Sequence, residues 1–411
     1  MHVTLHMTTR CNFRCDYCYA APHGTADMPL DVAKAAVDLA SNVSRKENPE
    51  QSIGIIFFGG EPLLRRETIE QTIAYCREVT HKTGQHFYFK VTTNGSLLDE
   101  EFLSRDPTSE VFVALSHDGV SAAHDKQRLD QLGCGTFERL RPKIDLLLRH
   151  RPYAPVMLVT TPESVEHYAE SVEFLFQCGF RYLICSLNYG CRWTDAKLTE
   201  LKRQYRRIAD WYASETRVEQ KFYFSPFDVK IASHVYPGSC RKERCELGRR
   251  QISVAQTGIL FPCVQFVGDG SDSAFAIGDV WSGLNEVRRD AIYLKSAKEK
   301  ADCVSCAIRE RCNHSCGCLN RQATGSIEAV SPVLCAHERM TLEAADSVAE
   351  RLFKDRTPMF IQKQYNELFP IVSMAEDSSR GEAEGQPGTG APSMAGAFEI
   401  GGTTTPPERE S

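Results

Sequence analysis

Through the first half of the chain, short β-branched or aromatic runs alternate with amphipathic stretches of helical period, which predicts parallel strands joined by crossover helices. Six runs stand out: Val3–Met7, Ile53–Phe58, Phe87–Thr92, Val111–Leu115, Val156–Val159 and Tyr182–Ser186. A helical segment follows each, and six βα units make a partial, open α/β barrel. The loops at the C-terminal ends of such strands converge on one cavity, so functional residues are expected there.

Helical periodicity continues through about Thr194–Ser214, after which the composition turns to Cys, Gly and Pro with few long apolar segments. That shift marks a second domain beginning near Phe222. An amphipathic stretch, Glu338–Lys354, closes the ordered part. The segment from about Ser378 to Ser411 is rich in Gly, Pro, Ser, Thr and Glu, with little to bury, and is expected to be disordered. The chain thus divides into a barrel over 1–221, a cysteine-rich unit over 222–345, a helical segment over 346–377 and a tail over 378–411. No repeat of solenoid type is present.

With 411 residues, 42% hydrophobic and 25% charged, the chain can bury a sizeable core in one large domain plus a smaller one. A net charge of -6 and a pI near 6.1 give no basic footprint, so neither nucleic acid nor an anionic membrane is an expected partner. The N-terminal stretch MHVTLHMTTRCNFRC has no charged region leading into an apolar one, and no segment approaches the roughly 20 apolar residues of a membrane span. A cytoplasmic location is expected. Seventeen cysteines in a reducing compartment point to metal ligation rather than a disulfide framework, with some left as core thiols.

Directly after the first strand come Cys11, Cys15 and Cys18, three thiols on one loop that can wrap a cubane and reach three of its four irons. An iron left without a protein ligand is open to a chelating small molecule. A structural zinc site would want a fourth ligand close by, and His23, the nearby candidate, is poorly spaced.

This Cys-x3-Cys-x2-Cys loop, with Tyr17 before its last cysteine, resembles the signature of the radical S-adenosylmethionine (SAM) superfamily. Gly59-Gly60-Glu61-Pro62 ends the second strand as the family's GGEP motif does, although alone it would read as an ordinary turn. Thr93-Asn94-Gly95 follows the third strand and Ser116-His117-Asp118-Gly119 the fourth, with His124, Asp125 and Arg128 beyond. The resemblance implies that Tyr17 and the Gly59, Gly60, Glu61 and Pro62 segment contact SAM, the last holding its amino group. It assigns Asn94, Ser116 and Arg128 to SAM as well, with Asp118 shaping the loop. It further implies that a reduced 4Fe-4S cluster cleaves SAM to a 5′-deoxyadenosyl radical that abstracts hydrogen from an unactivated C–H bond.

The second half holds Cys240-x4-Cys245-x17-Cys263, then Cys303-x2-Cys306-x5-Cys312-x3-Cys316, and finally Cys335. The order resembles the SPASM extension of peptide-modifying radical SAM enzymes, including Gly258 five residues before Cys263. Two zinc sites are the alternative. Carried over by position, Cys240, Cys245, Cys263 and Cys316 would hold one auxiliary 4Fe-4S cluster, and Cys303, Cys306, Cys312 and Cys335 a second. The cofactors implied are SAM and three 4Fe-4S clusters. Cys318 reads as a bystander rather than a substitute ligand, Cys76, Cys134, Cys178 and Cys185 as core or surface thiols, and Cys191 as a residue that could face the cavity.

Enzymes of this two-part kind mostly modify ribosomally made peptides or proteins, which makes a peptide the expected substrate and an external one-electron reductant, of flavodoxin or ferredoxin type, an expected partner. Sulfatase maturases put an aspartate after the third cysteine of the first auxiliary set, whereas Val264 follows Cys263 here. Side-chain crosslinking is therefore favoured over formylglycine formation, with small-molecule oxidation and non-enzymatic electron carriage behind them. The first strand starts at about residue 3, leaving no room before it for a leader-peptide-binding domain, so recognition would need another surface or a separate leader-binding protein. No catalytic base is identified.

Overall fold

A computed structural model of the chain describes residues 1–20, 24–47, 51–236, 238, 246–268, 273–366, 368–369 and 371–373. Cys240, Cys245, His23 and the tail expected over 378–411 lie outside them.

Six parallel strands form in chain order: β1 (His2–Thr8), β2 (Ile53–Gly59), β3 (Phe87–Thr93), β4 (Phe112–Ser116), β5 (Pro155–Thr160) and β6 (Tyr182–Leu187). Each stands within one or two residues of its predicted run. The crossovers carry α1 (Leu30–Glu47), α2 (Arg66–Thr83), the short α3 (Glu100–Ser104), α4 (Ser121–Gln127), α5 (Phe137–His150) and α6 (Tyr168–Gln177). Local chemistry sets the helix ends. Gly84 closes α2 in the left-handed conformation, φ 76°, and the Asp99 side chain caps α3 by accepting from the Phe102 N–H.

Past the barrel come α7 (Asp195–Arg217), β7 (Tyr223–Phe224), α8 (Ser225–Val235), β8 (Gln251–Val254) and β9 (Leu260–Phe261). Then follow β10 (Gly278–Asp279), β11 (Gly283–Leu284), α9 (Glu286–Ala297), α10 (Gly317–Thr324), α11 (Pro332–Lys354) and α12 (Pro358–Tyr365). The main sheet runs β7-β6-β5-β4-β3-β2-β1-β8-β9, so both its ends are built by chain beyond residue 221. The composition change near Phe222 is therefore not a break in the sheet: β7 pairs with β6, and β8 pairs in parallel with β1.

Strand register sorts the side chains into two faces, since paired residues in a parallel ladder point the same way. Leu5, Ile55, Phe57, Val91, Val113 and Val156 are fully buried on the face covered by the crossover helices. The opposite, concave face carries the row Thr4, Ile56, Lys90 and Phe112, and one step on, His6 beside Phe58. Ile56, Phe58, Lys90, Thr92, Met157 and Val159 on this face are all only partly buried, so the barrel has an open lumen. Burying the outer row supplies about 25 cal/mol per Å² of apolar surface, and truncating Phe57 to Ala would cost about 3–5 kcal/mol.

The long helix α11 packs on α7 and α8. A buried ion pair joins Lys230 Nζ of α8 to Glu338 Oε2 at 2.6 Å, and His337 is hydrogen-bonded by the phenols of Tyr189 and Tyr205 at 2.5 and 2.6 Å. Among the described residues no helix is long and apolar enough to cross a membrane.

Candidate active site at the barrel mouth

The loop after β1 carries Cys11, Cys15 and Cys18 and is sewn to the segment after α4. Arg14 N donates to Leu129 O at 2.8 Å, Asp16 N to Gln127 O at 3.1 Å, and Gln131 Nε2 to Cys11 O at 2.9 Å. Phe13, fully buried, anchors the loop between its first two thiols. Burial pushes the Cys11 thiol up to about 12 and Cys15 up to about 11, and the cysteines of the loop raise one another further.

Two glycines bring the end of β2 against this loop. Gly60 N donates to Thr8 O and Glu61 N to Arg10 O, both at 2.8 Å. A Cβ on Gly60 would lie 2.0 Å from Arg10 O, and one on Gly59, whose φ is +125°, 2.5 Å from Thr8 O. Only glycine permits that approach. Pro62 then opens a short helical turn, Pro62–Arg65, whose cap is Glu61.

The Glu61 carboxylate is fully buried and accepts from Leu63 N (3.0 Å), Thr93 Oγ1 (2.7 Å) and Asn94 N (2.8 Å). Its observed work is to tie the β2 loop to the β3 loop. Burial lifts its pKa to about 7 against the pull of those three donors. Asn94 in turn reaches the cysteine loop, with Nδ2 donating to Asn12 Oδ1 at 2.8 Å and standing 3.9 Å from Cys11 Sγ, while its Oδ1 accepts from Ser96.

Beyond β4, Asp118 is the hub. It accepts from Tyr17 Oη (2.7 Å), Arg128 Nε and Nη2 (2.9 and 3.2 Å) and Val159 N (3.1 Å). Burial works against the Arg128 charge, but Asp118, Tyr17 and Cys15 together outweigh it and hold the guanidinium above its usual range. Arg128 thus faces the protein, fixing the Tyr17 ring that it overlies at 5.4 Å. Ser116 ends β4 on the lumen face.

Of the auxiliary thiols, Cys263 and Cys318 are buried and Cys316 partly so. Cys318 lies within electrostatic reach of both of the others, and its thiol, together with the N–H groups that begin α10, draws Cys316 down to about 7. Sequence spacing set Cys318 aside; the structure puts it between two expected ligands. Burial raises the Cys303 thiol, with Cys306 adding to it, and burial raises Cys335, with Cys303 and Cys306 adding, so these three lie close together, whereas Cys312 faces Glu338 and Lys230. Cys76 is a core thiol, Cys134 is exposed, and Cys178, Cys185 and Cys191 are half-buried. Val264 packs against the core.

The donor chemistry fits iron-sulfur clusters. Buried thiols with raised pKa values ionise at a cost that a coordinating metal removes, because a bound thiol gives up its proton outright. Among the described residues no three such side chains close to single-ion distance; tetrahedral zinc requires that, but a cubane ligated on separate irons does not.

Sequence reasoning passed over Tyr19, His6 and Lys90. Tyr19 stacks on Phe58 at 6.2 Å, with its phenol within electrostatic reach of Cys18, Cys263 and Cys318, so it stands where the two halves of the chain meet. Phe58 meets His6 edge-on at 5.4 Å. The signal available beforehand was the period of two along β1, with His2, Thr4 and His6 set against Val3, Leu5 and Met7.

A parallel α/β barrel with a three-thiol loop at the C-terminal mouth of its strands defines an iron-sulfur class of protein. Residues 5–175 match the family described as the radical SAM superfamily, and the chain carries a radical SAM domain. It is 26% identical over 333 residues to a cysteine-type anaerobic sulfatase-maturating enzyme of Clostridium perfringens (strain 13 / Type A), covering 74% of this chain and 85% of that one. Its matches to two other curated relatives are shorter, spanning 60% and 48% of their length. Its fold is similar to native anSMEcpe with bound AdoMet and Kp18Cys peptide: TM-score 0.71, 18% identity, 86% of this chain and 99% of that one. It is also similar to Streptococcus suis SuiB bound to precursor peptide SuiA: TM-score 0.54, 17% identity, 81% and 75%.

Proposed function

We propose that the chain is a radical SAM enzyme that modifies a ribosomally made peptide by forming an intramolecular crosslink, a thioether or a carbon-carbon bond. The observation that carries the reading is the meeting of two thiol groups, Cys11–Cys18 at the barrel mouth and Cys263, Cys316 and Cys318 in the extension, with Tyr19 in reach of both. Peptide-bound structures of similar fold support a peptide as substrate.

Cys11, Cys15 and Cys18 would hold one 4Fe-4S cluster, with two auxiliary clusters on the thiols of the extension. When bound, cluster and SAM together supply a 5′-deoxyadenosyl radical able to take hydrogen from an unactivated C–H bond, given an electron from an external reductant. The chain's own part is placement. Gly59 and Gly60 let the β2 loop press on the cysteine loop, Glu61 and Asn94 fix the β3 loop to both, and the Asp118–Arg128 pair sets Tyr17.

A second reading, formylglycine formation, is favoured by the Clostridium perfringens relative that spans most of the chain. Val264 weighs against it, because valine cannot accept the proton that must leave Cys or Ser during that oxidation. The test offers the reconstituted protein, SAM and reductant two peptides: one with a sulfatase motif and the short peptide encoded beside its gene. The expected product is the second peptide short of one hydrogen pair, unreactive toward hydrazine, with its new bond resistant to reductants. A hydrazine-reactive aldehyde on the first peptide, with the second untouched, would replace this reading by the other.

A further inference from the structure

Lys90 is the one formal charge among the lumen-facing positions of β1–β6 and β8, and none of those positions holds a carboxylate. Its neighbours across the ladder are Ile56 and Phe112. Other enclosed lysines are satisfied: Lys230 by Glu338 at 2.6 Å, Lys363 by Asp228 at 2.8 Å, and Lys300 by Ser296 O at 2.9 Å. Lys90 has no hydrogen bond or ion pair among the described residues, and burial alone holds its ammonium below the usual lysine range.

A second group points into the same space. His6, 2% exposed, leaves Nε2 without a partner, and burial lowers its pKa to about 3, so it stands neutral beside Phe58. His6 is one lumen row above Lys90 and two strands away, about 7 Å along the strands at a rise of about 3.3 Å per residue and about 10 Å across the sheet at about 4.8 Å per strand. On one concave face, the long lysine side chain and the neutral imidazole can approach one small anion with hydrogen-bonding oxygens from two sides.

We propose that Lys90, aided by His6, seats a carboxylate that the substrate carries into the barrel, either an acidic side chain or a chain terminus near the residue to be modified. This rests on the peptide-modifying reading and narrows its substrate class. Depth argues for the substrate rather than SAM as the source. Lys90 lies four residues before Asn94, about 13 Å down the strand from the loops at the mouth.

The test needs no radical chemistry. The anaerobically reconstituted protein is pulsed with trace acetic anhydride near neutral pH, and acetylation of Lys90 is followed by peptide mass mapping. The pulse is given to the protein alone, with SAM, and with SAM plus either acetyl-Gly-Glu-Gly-amide or acetyl-Gly-Gln-Gly-amide at tens of millimolar. An amine with a lowered pKa should label readily, and the glutamyl peptide should slow labelling about tenfold by a charge-assisted hydrogen bond that the glutaminyl peptide cannot make. Lys90 that resists labelling in the free protein, equal labelling with both peptides, or full protection by SAM alone would each overturn the proposal. Assay of 5′-deoxyadenosine in the same preparation reports separately on the enzyme reading, since SAM left intact would sink that reading without touching the labelling result.

Discussion

Arg128 and Asp118 form a two-bond ion pair at 2.9 and 3.2 Å, their side chains 7% and 1% exposed, and hold the Tyr17 ring beside the cysteine loop. Breaking one side leaves a buried charge uncompensated, which costs about 3–5 kcal/mol. Asp118→Ala should lower unfolding free energy by that amount in urea titration. Arg128→Met should cost a similar amount, and the double variant should recover part of the loss. Strictly additive losses would mean the two residues do not act as a pair.

Gly60 tests whether the cysteine loop depends on backbone contact. Its Cβ would stand 2.0 Å from Arg10 O, and backbone cannot yield as a flexible side chain does. Gly60→Ala should push the loop away and cost about four irons of about twelve on reconstitution, one cubane's worth. Full iron content in a soluble variant would show that the loop tolerates the shift.

Glu61 makes stability depend on pH. Its folded pKa is raised, by burial, from 4.5 to about 7, so the folded state binds this proton more tightly than the unfolded chain. The contribution is fully present below about 4.5 and is lost as pH rises through about 7, on the order of 3 kcal/mol in all. Glu61→Gln removes the titration. Its stability relative to the unaltered protein should therefore improve between about pH 5 and about pH 8. A difference independent of pH would exclude this linkage.

Glu338 and Lys230 are the corresponding pair in the extension, 3% and 4% exposed, with Asn313 N also donating to Glu338 at 3.2 Å. Glu338→Ala should cost about 3–5 kcal/mol, and Lys230→Met combined with Glu338→Leu should regain most of it. Because Cys312 also faces Glu338, the single variant is expected to lose iron from the extension as well.

The strands were legible because each is a short β-branched run between helical periods, and local pattern is enough to find such elements. The mouth of the barrel was legible as motifs, since thiol spacing and paired glycines are local. What those residues touch was not. Glu61 serves Thr93 and Asn94 across loops, and Arg128 turns to Asp118; such choices depend on which loops meet. Cys318 escaped for the same reason, its two thiol neighbours being set by the packing of α10. Lys90 looked like any polar residue in a strand until the register placed it on the lumen face among residues that offer no countercharge.

The sheet order also bears on how the molecule comes to be made. His2 pairs with Gln251 and Leu5 with Val254, so the outer edge of the first strand stays open while most of the chain is synthesised. An unpaired strand edge is a template for the wrong neighbour, and contacts so distant in sequence form slowly. The cysteine loop hangs from that same strand. A nascent chain halted before residue 251 would therefore present its first three thiols on an unfinished barrel edge.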